Sequence, residues 1–128
     1  MRPARASRAA SIALGLCAAL CASLLFSSCL TKVEIGSPDL GKAADGAWKG
    51  YYDGKLVKVE VEIEVASHRI ESIRILKHEC GKGKPAERIV DSVVAAQSLQ
   101  VDSVSGATYS SKCILKAIEV ALESASRG

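Results

Sequence analysis

The order of patterns along this chain predicts an α+β fold: strands first, then a helix, a short polar motif and a second helix. Three observations carry that prediction. Val57, Val59, Val61, Ile63 and Val65 alternate with Lys58, Glu60, Glu62 and Glu64, which is the period of a strand with one wet face. Ile114, Ala117, Ile118, Ala121 and Leu122 recur at i, i+3, i+4, i+7 and i+8, which marks one buried face of a helix. Asp53-Gly54 is a hairpin signal placed just before the alternating strand. The expected architecture is a small antiparallel sheet of about three or more strands with two packed helices.

The elements follow in order. Ala47 to Tyr52 reads as a short first strand, and Val57 to Val65 as the second. Ala66-Ser67-His68-Arg69 turns the chain, and Ile70, Ile73 and Ile75 continue a third strand to about Lys77. His78 then opens a loop that runs to Lys84. Pro85 suits the first turn of a helix, which Ile89, Val90, Val93, Val94 and Ala96 carry to about Gln97. Ser98 to Val101 connects to the motif, and the last helix spans roughly Ser110 to Ala125. About 80 residues with so few aromatics give a modest core, which a bound cofactor could reinforce.

The N-terminus does not belong to that domain. Arg2, Arg5 and Arg8 precede an uncharged, mostly apolar run from Ser11 to Phe26, and Ser27-Ser28-Cys29 closes it with small residues. That is the pattern of a secretory signal peptide, and it falls short of the ~20 apolar residues of a spanning helix. Leu25-Phe26-Ser27-Ser28-Cys29 resembles a bacterial lipobox, with Phe26 where leucine is usual. The resemblance implies that Cys29 becomes the lipidated first residue of the mature chain. An ordinary cleaved signal peptide and an uncleaved anchor are the alternatives. The expected organisation is a lipoprotein-type signal peptide over 1–28, a tether over 29–44 and the folded domain over 45–125. Gly36, Ser37, Pro38, Gly41 and Lys42, without a sustained apolar period, suggest the tether.

The charge balance changes once the leader is set aside. Three of the 17 Lys and Arg residues lie in 1–28, which holds no acid, so the rest balance the 14 Asp and Glu. No basic excess remains to bind nucleic acid. Cys17 and Cys21 would leave with the leader. Cys80 reads as a loop residue and Cys113 as a small core residue in the last helix; their spacing fits no zinc pattern. An exported chain can form disulfides, and pairing of these two is left open.

The chemistry concentrates in Asp102-Ser103-Val104-Ser105-Gly106-Ala107-Thr108-Tyr109-Ser110-Ser111, read as D-x-x-S-G-A-T-x-S-S before a helix. A helix start offers amides without partners and the positive end of a dipole, so an anion can sit there. Simple capping of the helix by these hydroxyls is the plainer reading. Ser105, Thr108 or Ser110 as a catalytic nucleophile would need a positioned base. His68, in a turn, and His78, at a loop start, form no such arrangement, so no catalytic residue is assigned.

From Asp45 to Leu122 the chain resembles the FMN-binding domain family. Asp45-Gly46-Ala47-Trp48-Lys49-Gly50 is similar to its opening, Val57 to Val65 to its long strand, and Ile73-Arg74-Ile75-Leu76-Lys77-His78 to its third strand. Gly81-Lys82-Gly83-Lys84-Pro85-Ala86 resembles the loop of short stand-alone members. Gln97-Ser98-Leu99-Gln100-Val101-Asp102 followed by S-G-A-T is the most specific stretch. Related domains occur in the C and G subunits of sodium-pumping and Rnf-type membrane oxidoreductases and in periplasmic fumarate-reductase-like flavoproteins.

The resemblance implies that FMN is joined through its phosphate to Thr108. A dedicated Mg²⁺-dependent flavin transferase would donate it from FAD and release AMP, with Asp102, Ser105, Gly106 and Ala107 matching the recognition pattern. His78 and Tyr109 are candidate ring contacts, each with a plain structural alternative. Ser110 and Ser111 are candidate phosphate donors or caps. Longer members often carry H-x-E-T where this chain has His78-Glu79-Cys80-Gly81, so that pocket does not carry over whole. The expected protein is an electron-transfer flavoprotein outside the cytoplasmic membrane, a carrier or subunit more than a stand-alone enzyme. It would be held to a bacterial membrane by lipid, on a periplasmic or cell-surface face, between a membrane donor and another acceptor. The alternatives are a non-redox flavin-binding or surface lipoprotein of the same fold, and a small extracytoplasmic flavin reductase.

Overall fold

A computed structural model describes residues 33–81 and 83–128. The expected signal peptide, the lipidation residue Cys29 and Lys82 lie outside the described residues. Among the described residues no helix is long and apolar enough to cross a membrane.

Three strands form one antiparallel sheet in the order β1-β2-β3: β1 is Gly46–Asp53, β2 is Lys58–Ala66 and β3 is Arg69–Glu79. Two helices follow, α1 over Ile89–Ala96 and α2 over Thr108–Arg127. This is the expected α+β architecture. The alternation in β2 holds: Val59, Val61 and Ile63 are fully buried, and the glutamates between them face outward. The β2–β3 turn places Ser67 and His68 at φ 52° and 59°, the left-handed pair that matches the twist of a two-residue hairpin.

β3 contains an irregularity with a reason in its sequence. Ile70, Ile73, Ile75 and His78 are spaced three, two and three apart, which no regular strand can turn to one face. Two bulges absorb the excess. Val65 pairs with Ile70 but Glu64 with Ser72, and Val61 pairs with Ile75 but Glu60 with Lys77. Glu71 and Leu76 are left over, and the four inward positions stay aligned with β2. The strand therefore reaches Glu79, two residues past the expected end, and includes His78.

α2 lies across β1 and β2, and α1 lies against β3. Close approach at one point seats α2. A Cβ on Gly50 would stand 1.9 Å from the carbonyl oxygen of Ala117 and 2.7 Å from the amide nitrogen of Ala121. Both are backbone atoms and cannot swing away. α1 is shorter than expected because Lys84–Arg88, with Pro85 in it, forms a 3₁₀ turn first. Gln97 then ends α1 in the left-handed region at φ 50°. Its amide accepts the Ile70 N–H at 2.8 Å and donates to the Ile70 and Val94 carbonyls at 2.9 and 2.7 Å. This one side chain ties the end of α1 to the start of β3.

The tether expected over 29–44 needs correction from residue 33 onward. Ile35 and Leu40 pack on the core, and Ala43 is buried. Gly36 N–H donates to Glu119 Oε2 at 3.1 Å, and Ala44 N–H to the Ala125 carbonyl at 3.0 Å. Trp48 Nε1 donates to the Ala44 carbonyl at 3.0 Å. A glycine-bearing polar segment can be a strap as readily as a linker, because its backbone groups find partners on α2.

Gly50→Ala should cost at least about 3 kcal/mol, since the sheet and α2 would have to separate. Urea denaturation of the two proteins checks this.

Candidate functional site

The motif is positioned where three elements end together. Asp53 pairs with Lys58 and Lys58 with Glu79, so the β1–β2 turn and the end of β3 share one edge of the sheet. The first turn of α2 meets that edge from above. On one flank the Tyr109 hydroxyl donates to the Gly54 carbonyl. A Cβ on Gly54 would lie 2.8 Å from Cys113 Sγ and 2.9 Å from the Tyr109 oxygen, so the turn and helix touch there. On the other flank a Cβ on Gly83 would lie 2.0 Å from Ser110 Oγ and 3.2 Å from the Cys80 Cβ. The loop after β3 is thus seated directly on Ser110.

Between these flanks the motif folds as a tight turn. Ala107 N–H donates to the Val104 carbonyl at 3.0 Å, and Gly106 has φ 80°, which favours glycine. A Cβ on Gly106 would meet nothing within 4 Å, so the space above the turn is open. Ser111 is fully buried and stitches the turn to the helix. It accepts the Val104 N–H at 3.0 Å and donates to the Ala107 carbonyl at 2.8 Å. Both its bonds are internal, so the structure gives it a holding role.

Thr108 is the first residue of α2 and is exposed, two residues earlier than the helix start read from sequence. Asp102, Ser105 and Gly106 are also exposed, while Ala107 is buried and anchors the turn. No side chain caps α2. The first-turn amides have no intrahelical acceptor, and the dipole favours an anion beside them. An exposed hydroxyl, open amides and clear space over a glycine suit a phosphoester. Ser110 is buried against Gly83. Tyr109 is half-buried, its hydroxyl spent on Gly54.

His78 is not the loop residue expected. It pairs with Val59 inside β3, and its side chain is 2 % exposed. Nδ1 lies 3.1 Å from Glu87 Oε1 and 3.4 Å from Cys80 Sγ. Nδ1 faces both the Glu87 carboxylate and the Cys80 thiol, while Nε2 lies inside the protein and meets no hydrogen-bond partner among the described residues. Glu87 escaped the sequence reading because nothing local links it to His78; only the fold of the 84–88 turn brings them together. Cys80 and Cys113 are both free thiols. Among the described residues no group of three or more His, Cys, Asp or Glu side chains is placed to hold a metal ion.

The site is thus an exposed threonine at the start of the long helix of a small α+β domain, beside a glycine turn. Comparison with known proteins identifies the family. The profile of the FMN-binding domain family matches residues 52–123, more than half of the chain, and the chain belongs to that family. It is also 35 % identical over 114 residues to a urocanate reductase of Eggerthella lenta. That alignment takes in 85 % of this chain and 19 % of the relative, so the chain spans about a fifth of the relative's length. This protein is a flavoprotein by family, with FMN as the cofactor.

Two predictions follow from the packing. Ser111→Ala leaves the Val104 amide without its acceptor and should cost about 1–3 kcal/mol by urea denaturation. Burial raises the Cys113 thiol above its usual 9.0, and burial followed by the nearby Cys113 raises the Tyr109 phenol above 10.0. Both groups hold their protons more tightly folded than unfolded. Their contribution is therefore full below those usual values and is lost as pH rises from them through the higher folded values. Stability should fall above about pH 9, and the fall should be shallower in Tyr109→Phe, as melting temperatures across alkaline buffers will show.

Proposed function

We propose that the chain is an exported electron carrier with one FMN esterified to Thr108. The observation that carries this reading is the exposed Thr108 hydroxyl at the start of α2, beside open amides and the Gly106 turn. In maturation the Thr108 oxygen would attack the flavin-side phosphorus of FAD. One P–O bond forms, the bond to AMP breaks, and AMP leaves with the hydroxyl proton released to solvent. A separate Mg²⁺-dependent flavin transferase supplies the catalysis. Asp102, Ser105 and Gly106, all exposed, would be what that enzyme reads.

Bound FMN supplies one- and two-electron chemistry at its ring. The chain's own contribution is position. The first-turn amides would donate to the phosphodiester, and the Tyr109 and Ser110 contacts fix the helix start against the sheet. The buried Nε2 of His78, unpartnered among the described residues, lies near this end of the domain, and we assign it a hydrogen-bonding role toward the flavin. The similar segment of the urocanate reductase belongs to a chain about five times longer. That supports a carrier module here, serving a membrane donor and a separate acceptor. The leader and the Ser27-Ser28-Cys29 boundary support export and a lipid anchor at Cys29.

Co-expression with a flavin transferase, followed by denaturing electrophoresis, tests the attachment. Flavin fluorescence should stay with the wild-type band and vanish in Thr108→Ala. A dark wild-type band would favour the non-redox reading. Turnover of a soluble acceptor without any membrane donor would favour a small reductase.

A further inference from the structure

The strap formed by residues 33–44 bears on where this domain can work. A free tether from Cys29 to Ala44 would let the domain wander roughly 50 Å from an anchor, at ~3.3–3.6 Å per residue. Packing removes most of that reach. Ile35 is the first strap residue to pack on the core. Gly36 N–H is held by Glu119, a residue only 7 % exposed, whose carboxylate is also bound by Lys116 Nζ at 3.0 Å. The Gln100 amide donates to the Gly36 carbonyl at 3.4 Å and to Ser37 Oγ at 3.1 Å. The far end is fastened by Ala43, buried, and by Ala44 on Ala125.

Glu119 gives the strap its clearest purpose. A nearly buried carboxylate needs partners, and those it has are Lys116 and the Gly36 amide. A Cβ on Gly36 would lie 2.7 Å from Glu119 Oε1, so the carboxylate would have to shift to admit any larger residue there. The features that suggested flexibility in the sequence serve attachment instead.

We propose that the strap converts a lipid anchor at Cys29 into a short mount that keeps the domain against a bilayer surface. This rests on the anchor reading given above. Six residue steps separate Cys29 from Ile35, a reach of about 20 Å when fully extended. Glu119 is eleven residues along α2 from Thr108, about 17 Å at 1.5 Å per residue. Allowing about 10 Å for the crossing from Ile35 to Glu119, Thr108 therefore stays within roughly 50 Å of the anchoring headgroups, whatever path the intervening residues take. The redox partner is then one presented at the membrane surface, such as an integral membrane protein, and the carrier does not range away to meet it.

The single tryptophan provides a flavin-independent test, since Trp48 packs on the strap. The full chain is placed in phospholipid vesicles bearing a headgroup energy acceptor, at equal flavin loading throughout. Trp48 should transfer energy efficiently in the wild type. Inserting about fifteen Gly/Ser residues between Lys32 and Val33 should lower the transfer at least twofold, because such a linker adds roughly 20 Å of mean reach. Hydrogen exchange at the Gly36 and Ala44 amides should be at least tenfold slower than in an exposed chain. Equal transfer with and without the insertion overturns the mount, as do unprotected strap amides. A mature chain whose mass lacks lipid overturns the anchor and the mount together, and that mass separates the two failures.

Discussion

The seating of α2 on the sheet is the constraint from which the rest of the structure follows. Gly50 lets the backbone of β1 meet the backbone of α2 at Ala117 and Ala121, closer than any side chain would allow. That contact sets the height of the helix over β1 and β2, and Val59, Val61 and Ile63 fill the layer beneath it with Ile114 and Ile118. The helix is then fixed at both ends. Tyr109 holds its start to the β1–β2 turn, and Ala125 holds its end to the strap. A long amphipathic helix on a three-stranded sheet would otherwise be free to slide along its own axis.

Function depends on that immobility. An anion site at a helix start is only as well placed as the helix itself. Here the amides of the first turn stay open because no side chain of the motif caps them. The hydroxyl that might have done so, on Ser111, is buried and occupied with the Val104 amide and the Ala107 carbonyl. The motif thus spends one serine to build the turn and leaves a threonine exposed at its surface. The strap applies the same economy at the other end of the helix, where polar residues anchor a segment that could have been loose.

Much of this was legible in the chain. The alternation from Val57 to Val65 and the heptad-like face from Ile114 to Leu122 reported burial directly, because period and burial are two expressions of one geometry. Thr108 was legible through its motif. His78 was misread as a loop residue because the spacing of Ile70, Ile73 and Ile75 breaks the strand period; two bulges, invisible in a period count, restore it. The strap was misread because glycine and polar residues look alike whether their backbone partners are water or a distant helix. Gly83 and Gly54 reach the site only through contacts with residues far away in sequence, and Glu87 only through the fold of the 84–88 turn.

The sequence by itself determined the strands, the helices, the buried faces and the motif that opens the last helix, since each is encoded within a few neighbouring positions. Only the tertiary structure decided which flanks confine Thr108, which histidine nitrogen lacks a partner among the described residues, and that residues 33–44 pack on the domain. Those are relations between positions 9 to 83 residues apart, and local patterns carry no information about distances that folding alone establishes.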